Sequence, residues 1–507
     1  MATPADQEVV NREERPGRPP ARRWLAGAGL NILLAILSGV LAGLAFPPFE
    51  LWPLAWVALV PLLIALRRTS KLRFAGYLAL LFGMSLCAVS LYWMTAIFHG
   101  PLVIGVFFLA SLPWLLFGLA YRVLTDRSRL GAVLVMTPIL WLAADWLRCE
   151  GWYFRFSWLQ LGFTVVPWEG ARAALYPLIG VYGVTYLIVL VNVALAFFLI
   201  RRDWRIPAAA LGVIFLVWVS FIYQRYMNIN FDFWPKYYND GMIVQNESGT
   251  LDDLLRITRS ALKPETRLVV WPEYAVATYP LEDKRLLEEL KDVARETHST
   301  LIFGCQEHAP KDAPCDWLRR RGMPDLYYNT ALVLSPEGEI LGKYYKTHPI
   351  QFFADGVPGR FYHTIPSPVG RLGIAICYDF DYAHTALNLV RNGAEVLVVP
   401  TFDAVEWGET QHRQHTRMAQ ARTAEVGLYT IRATSSGISQ ILTPTGQPLA
   451  SIPFGESAAA TGAFLPDNTL TPYIRYAWCL PYLCLVISLL WALSLIIRRV
   501  FRRAPSV

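Results

Sequence analysis

The sequence predicts a membrane α-helical bundle of eight transmembrane helices carrying one extramembrane α/β domain. Three observations predict it. Hydrophobic residues make up 54% of the 507-residue chain and charged residues 17%, against roughly 25% charged in an ordinary soluble domain. The apolar residues concentrate in 24–227 and 477–497, whereas 231–476 reads as a normal globular stretch. Within that stretch, strand-like and helix-like patterns alternate, as in layered α/β domains. The composition excludes a wholly soluble or disordered chain. Seven cysteines in 507 residues are too sparse for a small disulfide scaffold.

Residues 1–23 are polar and Pro-rich and end in Arg22 and Arg23. They read as a disordered basic leader rather than a cleaved signal, because the apolar run that follows is long enough to span. A span needs about 20 apolar residues. Seven candidates over 24–227 meet or approach this, at 24–46, 51–66, 73–98, 101–121, 130–147, 174–200 and 206–227. An eighth lies at 477–497, followed by a basic tail over 498–507.

Positive charge follows alternate spans. Arg67, Arg68, Lys71 and Arg73 follow the second, Arg122, Arg127 and Arg129 the fourth, and Arg201, Arg202 and Arg205 the sixth. Arg498 and Arg499 follow the eighth. The positive-inside rule then places both termini in the cytoplasm. Parity puts the domain at 228–476 outside the membrane, in the periplasm of a two-membrane bacterium. The net charge of +7 belongs to this anchoring, and no basic face or aromatic array points to nucleic acid. Trp24, Trp52, Trp152 and Trp158 sit at span ends, where interfacial belts put tryptophan. Asp145 and Arg148 are i,i+3 neighbours near the outer end of the fifth span. They read equally as an intramembrane functional site or a structural pair.

In the extramembrane domain, strands are expected at 241–245, 267–271, 300–304, 329–335, 339–345, 371–377, 395–400 and 428–434. Helices are expected at 250–262, 281–297, 382–392 and 410–426. Three chemistry-bearing residues stand where strands end: Glu273 in WPEYA, Lys346 after EILGKYY and Cys377 closing RLGIAIC. Chemistry gathers at the carboxyl ends of strands in α/β sheets. A Cys nucleophile, a Glu base and a Lys oxyanion donor make a complete acyl-transfer set. Each alone is weak evidence, since a lone Cys at a strand end is usually core and a lone Lys or Glu usually surface.

The contexts resemble the nitrilase superfamily. WPEYA resembles that family's general-base motif, KYYKTH its lysine motif and GIAICYDF its nucleophile motif, in the same chain order. Joined to the spans, the chain from about 24 to 497 resembles the apolipoprotein N-acyltransferase family. FSWLQLG at 156–162, TFDAVEWG at 401–408, QHTRMAQARTAE at 414–425 and IRATSSGIS at 431–439 agree with it. The resemblance implies a nitrilase-like α-β-β-α sandwich at 228–476 and a ping-pong transacylation without cofactor or metal. Cys377 takes an acyl chain from a phospholipid, expected to be phosphatidylethanolamine, and passes it to the α-amine of a diacylglyceryl-cysteine lipoprotein. Glu273 is then the base and Lys346 the oxyanion partner. Tyr378, Asp379, Asp355, Trp158, Asp403 and Trp407 are implied as substrate-binding or supporting residues, in a monomeric inner-membrane protein.

Departures from the family pattern keep other readings open. Its Pro-Phe-Gly-Glu stretch is replaced by HPIQFFADGVPGR. Asp355 is the nearest carboxylate there, shifted by one position. Asp379 and Asp145 stand where the family has Glu. A different amine acceptor, a membrane-tethered amidase using water, and a non-catalytic scaffold remain alternatives. Among other residues, His412 and His415 lack the partners of a zinc pattern. Arg422 and Glu425 are spaced as a structural ion pair, and Cys305 and Cys315 are spaced apart in an exported domain that permits a disulfide.

Overall fold

The computed structural model describes residues 21–229, 239–246, 249–310, 312–313, 315, 325–351, 353 and 355–501. Most of the expected leader, and the tail beyond Phe501, lie outside these residues. The membrane part contains α1 (Ala21–Leu44), α2 (Val60–Arg68), α3 (Leu72–Ser90), α4 (Pro101–Arg127), α5 (Leu130–Trp146), α6 (Glu169–Arg201) and α7 (Arg205–Ile229). Among the described residues six helices are long and apolar enough to cross a membrane: Gly27–Leu44, Leu72–Ser90, Pro101–Arg127, Leu130–Gly151, Glu169–Arg201 and Ala477–Arg499.

The segment expected to span at 51–66 is broken instead. It forms a 3-10 turn at Trp52–Trp56 and then the nine-residue α2, each with a proline in its first turn. Proline starts a helix well but cannot continue one, because it has no N–H. Nine residues rise only about 14 Å. The third expected span likewise stops as α3 at Ser90 and gives way to a 3-10 turn at Tyr92–Ala96.

Small residues let the bundle close. A Cβ on Gly39 would lie 2.4 Å from the Phe82 carbonyl oxygen, so α1 and α3 touch backbone to backbone, as small residues allow in membranes. Phe82, Trp114, Phe117 and Trp141 interlock edge to face around this contact.

The extramembrane part holds two six-stranded sheets, ordered β12-β1-β2-β3-β4-β5 and β11-β10-β9-β8-β7-β6. The first comprises β1 (Asn239–Gln245), β2 (Thr266–Val270), β3 (Thr300–His308), β4 (Tyr327–Leu334), β5 (Ile340–Tyr345) and β12 (Ala458–Phe464). The second comprises β6 (Thr364–Ser367), β7 (Gly370–Ile374), β8 (Val396–Thr401), β9 (Thr430–Thr434), β10 (Ser439–Leu442) and β11 (Pro448–Ile452). The central neighbours β1, β2, β3 and β7, β8, β9 run parallel. Alternation divides their side chains. Ile243, Leu268, Val270 and Ile302 of the first sheet share a core with Ile374, Val396, Val398 and Ile431 of the second. Met242, Val244, Val269 and Leu301 point the other way, onto α8 (Leu251–Ala261) and α9 (Lys284–Thr297).

Helices α10 (Ala383–Arg391) and α11 (Gly408–Val426) follow β7 and β8. A short α12 (Pro472–Arg475) leads to α13 (Leu480–Phe501), the last apolar helix. α11 packs against α6 as well as its own domain, which explains why it is buried nearly all round. Gln414 receives the Trp93 indole N–H and donates to the carbonyls of Pro47 and Ser90. Arg413 and Arg417 pair with Glu50 at 3.0 and 2.8 Å. Arg422 and Glu425 form a buried 2.6 Å pair. Glu425 also accepts the Val181 N–H at 2.6 Å, where α6 breaks at Gly180 with φ +67°.

Candidate active site at the junction of the two parts

The carboxyl ends of β2, β5, β7 and β8 converge beside the membrane-side loops. Glu273 follows β2 and is 2% exposed. Its Oε1 accepts Lys346 Nζ at 2.9 Å and Asn329 Nδ2 at 2.6 Å. Its Oε2 accepts the Phe402 N–H at 2.7 Å. Lys346, one residue past β5, also pairs with Asp355 at 2.6 Å. Asp355 accepts in addition from Asn329, Tyr274 and the Ile350 N–H, at 3.0, 2.9 and 2.9 Å. One ammonium therefore sits between two buried carboxylates. Burial pushes the Glu273 carboxyl up; Lys346 opposes this and Asp355 adds to it, leaving it raised. Burial acts to lower Lys346, but Asp355 and Glu273 hold it well above its usual value.

Cys377 is not the last residue of a strand, as expected. β7 ends at Ile374, and Cys377 opens a 3-10 turn over Cys377–Asp381 with φ +50°. A non-glycine residue in this region carries strain and persists only where its surroundings fix it. Here the Sγ lies 3.6 Å from the Phe402 carbonyl, so Cys377 and Glu273 contact the backbone of the same residue, at its C=O and its N–H. Burial first, then Glu273, push the thiol well up, and Lys346 works against them. A thiol in this state needs a base to become a nucleophile.

Asp379 does not face the cleft. It is fully buried and clamps two loops together. It accepts the N–H groups of Thr347 and His348, at 3.0 and 2.6 Å, and that of Ile376 at 3.1 Å. The Thr347 hydroxyl adds a fourth bond at 2.8 Å. The lysine-bearing and cysteine-bearing loops thus share one anchor.

A cleft of about 630 Å³, open to solvent at its mouth, ends at Cys377. Its walls are apolar and come from both parts: Trp93, Ile97 and Phe156 on the membrane side, Tyr378, Phe353 and Trp407 on the other. Trp158 lines it too and is held in place from below. The buried Asp145–Arg148 pair, at 2.8 Å, turns Arg148 onto the carbonyls of Phe156 and Trp158. The intramembrane pair is thus a support for this loop.

Asp403 lines the cleft beside His415. His415 Nδ1 lies 2.8 Å from Asp403, and Nε2 lies 3.1 Å from Asp381. Burial acts to lower His415, but the two carboxylates outweigh it and hold it up at about 9. Cys377, Asp403 and His415 each bring one ligand atom within 4.8 Å of the others. Both imidazole nitrogens already face carboxylates, and Arg432 sits 2.7 Å from Asp403. A divalent ion would meet that guanidinium and would need the imidazole deprotonated. Asp403 and His415 are hydrogen-bonded to each other, whereas the Cys377 thiol turns to the Phe402 carbonyl, and the group does not suit a metal.

The raised His415 stabilises the fold most below the ordinary value of 6.5, and this is lost as pH rises to about 9. Melting profiles of wild type and His415→Gln in detergent are expected to differ most below pH 6.5 and to converge near pH 9. A gap that stays constant across this range contradicts the assignment.

Asn329, Tyr274, Asp381 and His415 were not singled out by sequence as site residues. Asn329 stands in a strand that reads only as core, and Asp381 meets His415 only through space. Cys305 is a buried free thiol in β3, pushed up to about 12 by burial, so the disulfide that compartment permitted is not formed.

Residues 241–471 match the family described as Carbon-nitrogen hydrolase, and residues 38–194 match Apolipoprotein N-acyltransferase N-terminal domain. The apolipoprotein N-acyltransferase of Geobacter metallireducens is 28% identical, covering 90% of this chain and 93% of its own. That of Photobacterium profundum is 26% identical, covering 94% and 96%. That of Azotobacter vinelandii is 28% identical, covering 96% and 98%. Among solved structures, a carbon-nitrogen hydrolase from Helicobacter pylori G27 aligns at 20% identity with a TM-score of 0.39, covering 48% of this chain and 94% of that one.

Proposed function

The chain belongs to the apolipoprotein N-acyltransferase family, and from that premise we propose that it N-acylates diacylglyceryl-cysteine lipoproteins through a thioester on Cys377. One observation carries the catalytic assignment. A buried Cys, with Glu273 on the backbone of the same residue, Phe402, and Lys346 on that Glu, closes an apolar cleft walled by both the bundle and the α/β domain.

The thiol proton passes to Glu273 as Sγ attacks the ester carbonyl of the phospholipid. Lys346 faces the oxyanion that develops. The bond to the glycerol oxygen breaks, Glu273 returns the proton to that oxygen, and lysophospholipid leaves. The lipoprotein α-amine then attacks the thioester and gives a proton to Glu273. The amide forms as the C–S bond breaks, and Glu273 passes the proton to the departing sulfur, restoring thiol and base. Asp355 completes the carboxylate pair around Lys346, in the place of the missing glutamate motif. Tyr378, Trp407 and Trp158 shape the acyl wall, and Asp379 and Asp403 hold the loops that carry the chemistry.

The protein is a multi-pass inner-membrane enzyme acting on lipid substrates. Beyond that, we take phosphatidylethanolamine as the donor and a monomer without nucleic-acid partners as the working form. We take eight crossings, the second made by the turn at Trp52–Trp56 together with α2 rather than by one helix, with both termini in the cytoplasm and the domain at 228–476 as a periplasmic α-β-β-α sandwich. The alternating arginines support this orientation. A site facing the outer leaflet meets both anchored substrates without extracting either.

Purified protein given phosphatidylethanolamine and a diacylglyceryl-cysteine peptide is expected to form N-acyl peptide and lysophospholipid in equal amounts. Cys377→Ala is expected to form neither, a loss of roughly 10⁴-fold or more. Free fatty acid without N-acyl peptide would instead support a water-using amidase.

A further inference from the structure

The cleft holds a cation that the transfer steps above leave without a task. His415 lies on α11, is 4% exposed and lines the cleft beside Cys377. One of its ring nitrogens is within 4.8 Å of the sulfur. Asp403 and Asp381 face its two nitrogens at 2.8 and 3.1 Å. A carboxylate on each nitrogen favours an imidazole that donates from both and is a cation, against the single Arg432 guanidinium 3.0 Å from Nδ1. Its ring stacks on the Trp158 indole at 5.8 Å and 27°, an arrangement that favours the charged form. The Trp158 indole N–H donates to Asp381 at 2.7 Å, so the membrane-side loop fixes both the ring and one of its carboxylates.

The charges around the sulfur show why such a cation matters. Glu273 after β2, Asp355 in the loop beyond β5, Asp403 after β8 and Asp381 in the nucleophile's own turn are all acidic. Against them stand Lys346 after β5, Arg432 on β9 and His415 on α11. Lys346 is committed to Glu273 and Asp355, and Arg432 lies 2.7 Å from the far oxygen of Asp403 and 3.0 Å from His415 Nδ1, where its charge opposes that of the ring. His412, one turn before His415, lies 3.8 Å from Asp403. Lys346 also acts on the sulfur but does not line the cleft, whereas His415 lines it beside the sulfur.

Resting on the acyl-transfer reading, we propose that His415 is a fixed imidazolium that stabilises the Cys377 thiolate, and that Trp158 on the membrane side holds it there. It is a positioning residue: it neither gives nor takes a proton. The thiol proton still goes to Glu273. In the second half-reaction, the cation lowers the cost of the thiolate that leaves when the amine expels it. The membrane part thereby sets the charge environment of a nucleophile in the other part, a role separate from holding lipid.

The test is the pH profile of Cys377 alkylation by iodoacetamide in the full-length protein in detergent, read by peptide mass. An opposite charge within about 4–6 Å shifts a titrating group by roughly 1–3 pH units. His415→Gln is expected to raise the Cys377 midpoint by at least about one unit and slow alkylation near neutral pH about tenfold. Asp381→Asn and Trp158→Phe, which keep His415 but loosen its charge, are expected to shift it less and in the same direction. A merely structural role would alter the melting temperature and leave the midpoint in place. Superimposable profiles for folded His415→Gln and wild type overturn the proposal. Should His415→Gln not fold, an Asp381→Asn profile that overlays wild type overturns it equally. Alkylation needs no lipid substrate. If wild type forms no acyl adduct from phosphatidylethanolamine, the transferase reading fails while these profiles still decide the role of His415.

Discussion

Lys346→Met is expected to cut acyl transfer by about 10²–10³-fold or more in kcat, the usual cost of removing an oxyanion donor. It is also expected to destabilise the protein. Lys346 is 1% exposed and lies 2.9 Å from Glu273 and 2.6 Å from Asp355. Removing the shared cation leaves two buried carboxylates close together, and breaking a buried pair costs about 3–5 kcal/mol. The stability loss and the activity loss have different origins, so they separate. In Lys346→Met/Asp355→Asn one negative charge is gone and most of the stability is expected to return, while activity stays lost. Melting temperature and single-turnover rate on the two variants check this. A double variant that regains activity would contradict the oxyanion role.

Asp379→Ala is the second large effect, and it falls on stability first. Three buried N–H groups, of Thr347, His348 and Ile376, lose their acceptor at once. Each unpaired buried donor costs about 1–3 kcal/mol, so the loss is several kcal/mol and a large share of a typical folding free energy. Asp379→Asn keeps one carbonyl oxygen and is expected to lose about half as much. Because the anchor joins the loops of Lys346 and Cys377, kcat is expected to fall with stability while the affinity of the cleft for lipid changes little. Thermal unfolding and lipid binding on the folded fraction of Asp379→Asn test this. An unchanged melting temperature would show that the clamp is dispensable.

The long elements were legible in sequence because their periodicity is local. The apolar runs at 130–147 and 174–200 became α5 and α6, and the eight expected strands all formed. What escaped has identifiable causes. Window hydropathy cannot see that Pro53 and Pro61 restart the chain, so 51–66 read as one span. β12 reads AAATGAF, with few β-branched residues, and forms by pairing with β1, a partner more than two hundred residues away. β6, β10 and β11 are four or five residues long and give too little pattern to register.

Legibility of the site followed the same logic. Glu273, Lys346 and Cys377 stood out because each sits in a recognisable stretch at a strand end. Asp355 was half legible. Its type and approximate place were readable, but its contact with Lys346 depends on how the loop at 347–357 folds back. Asp379 was readable as a residue but not as a clamp, since three of its bonds go to the lysine loop more than thirty residues away. The chain from Trp158 through Asp381 to His415 joins three distant segments and leaves no linear signal.

The most direct test of thioester catalysis at Cys377 is the intact mass of the detergent-purified protein after incubation with phosphatidylethanolamine, beside Cys377→Ala. Wild type is expected to gain the mass of one fatty acyl group, lose it to hydroxylamine and lose it to a diacylglyceryl-cysteine peptide, which becomes N-acylated. Cys377→Ala is expected to gain nothing. An adduct that persists in Cys377→Ala, or a folded wild type that transfers acyl groups without ever carrying one, would contradict it.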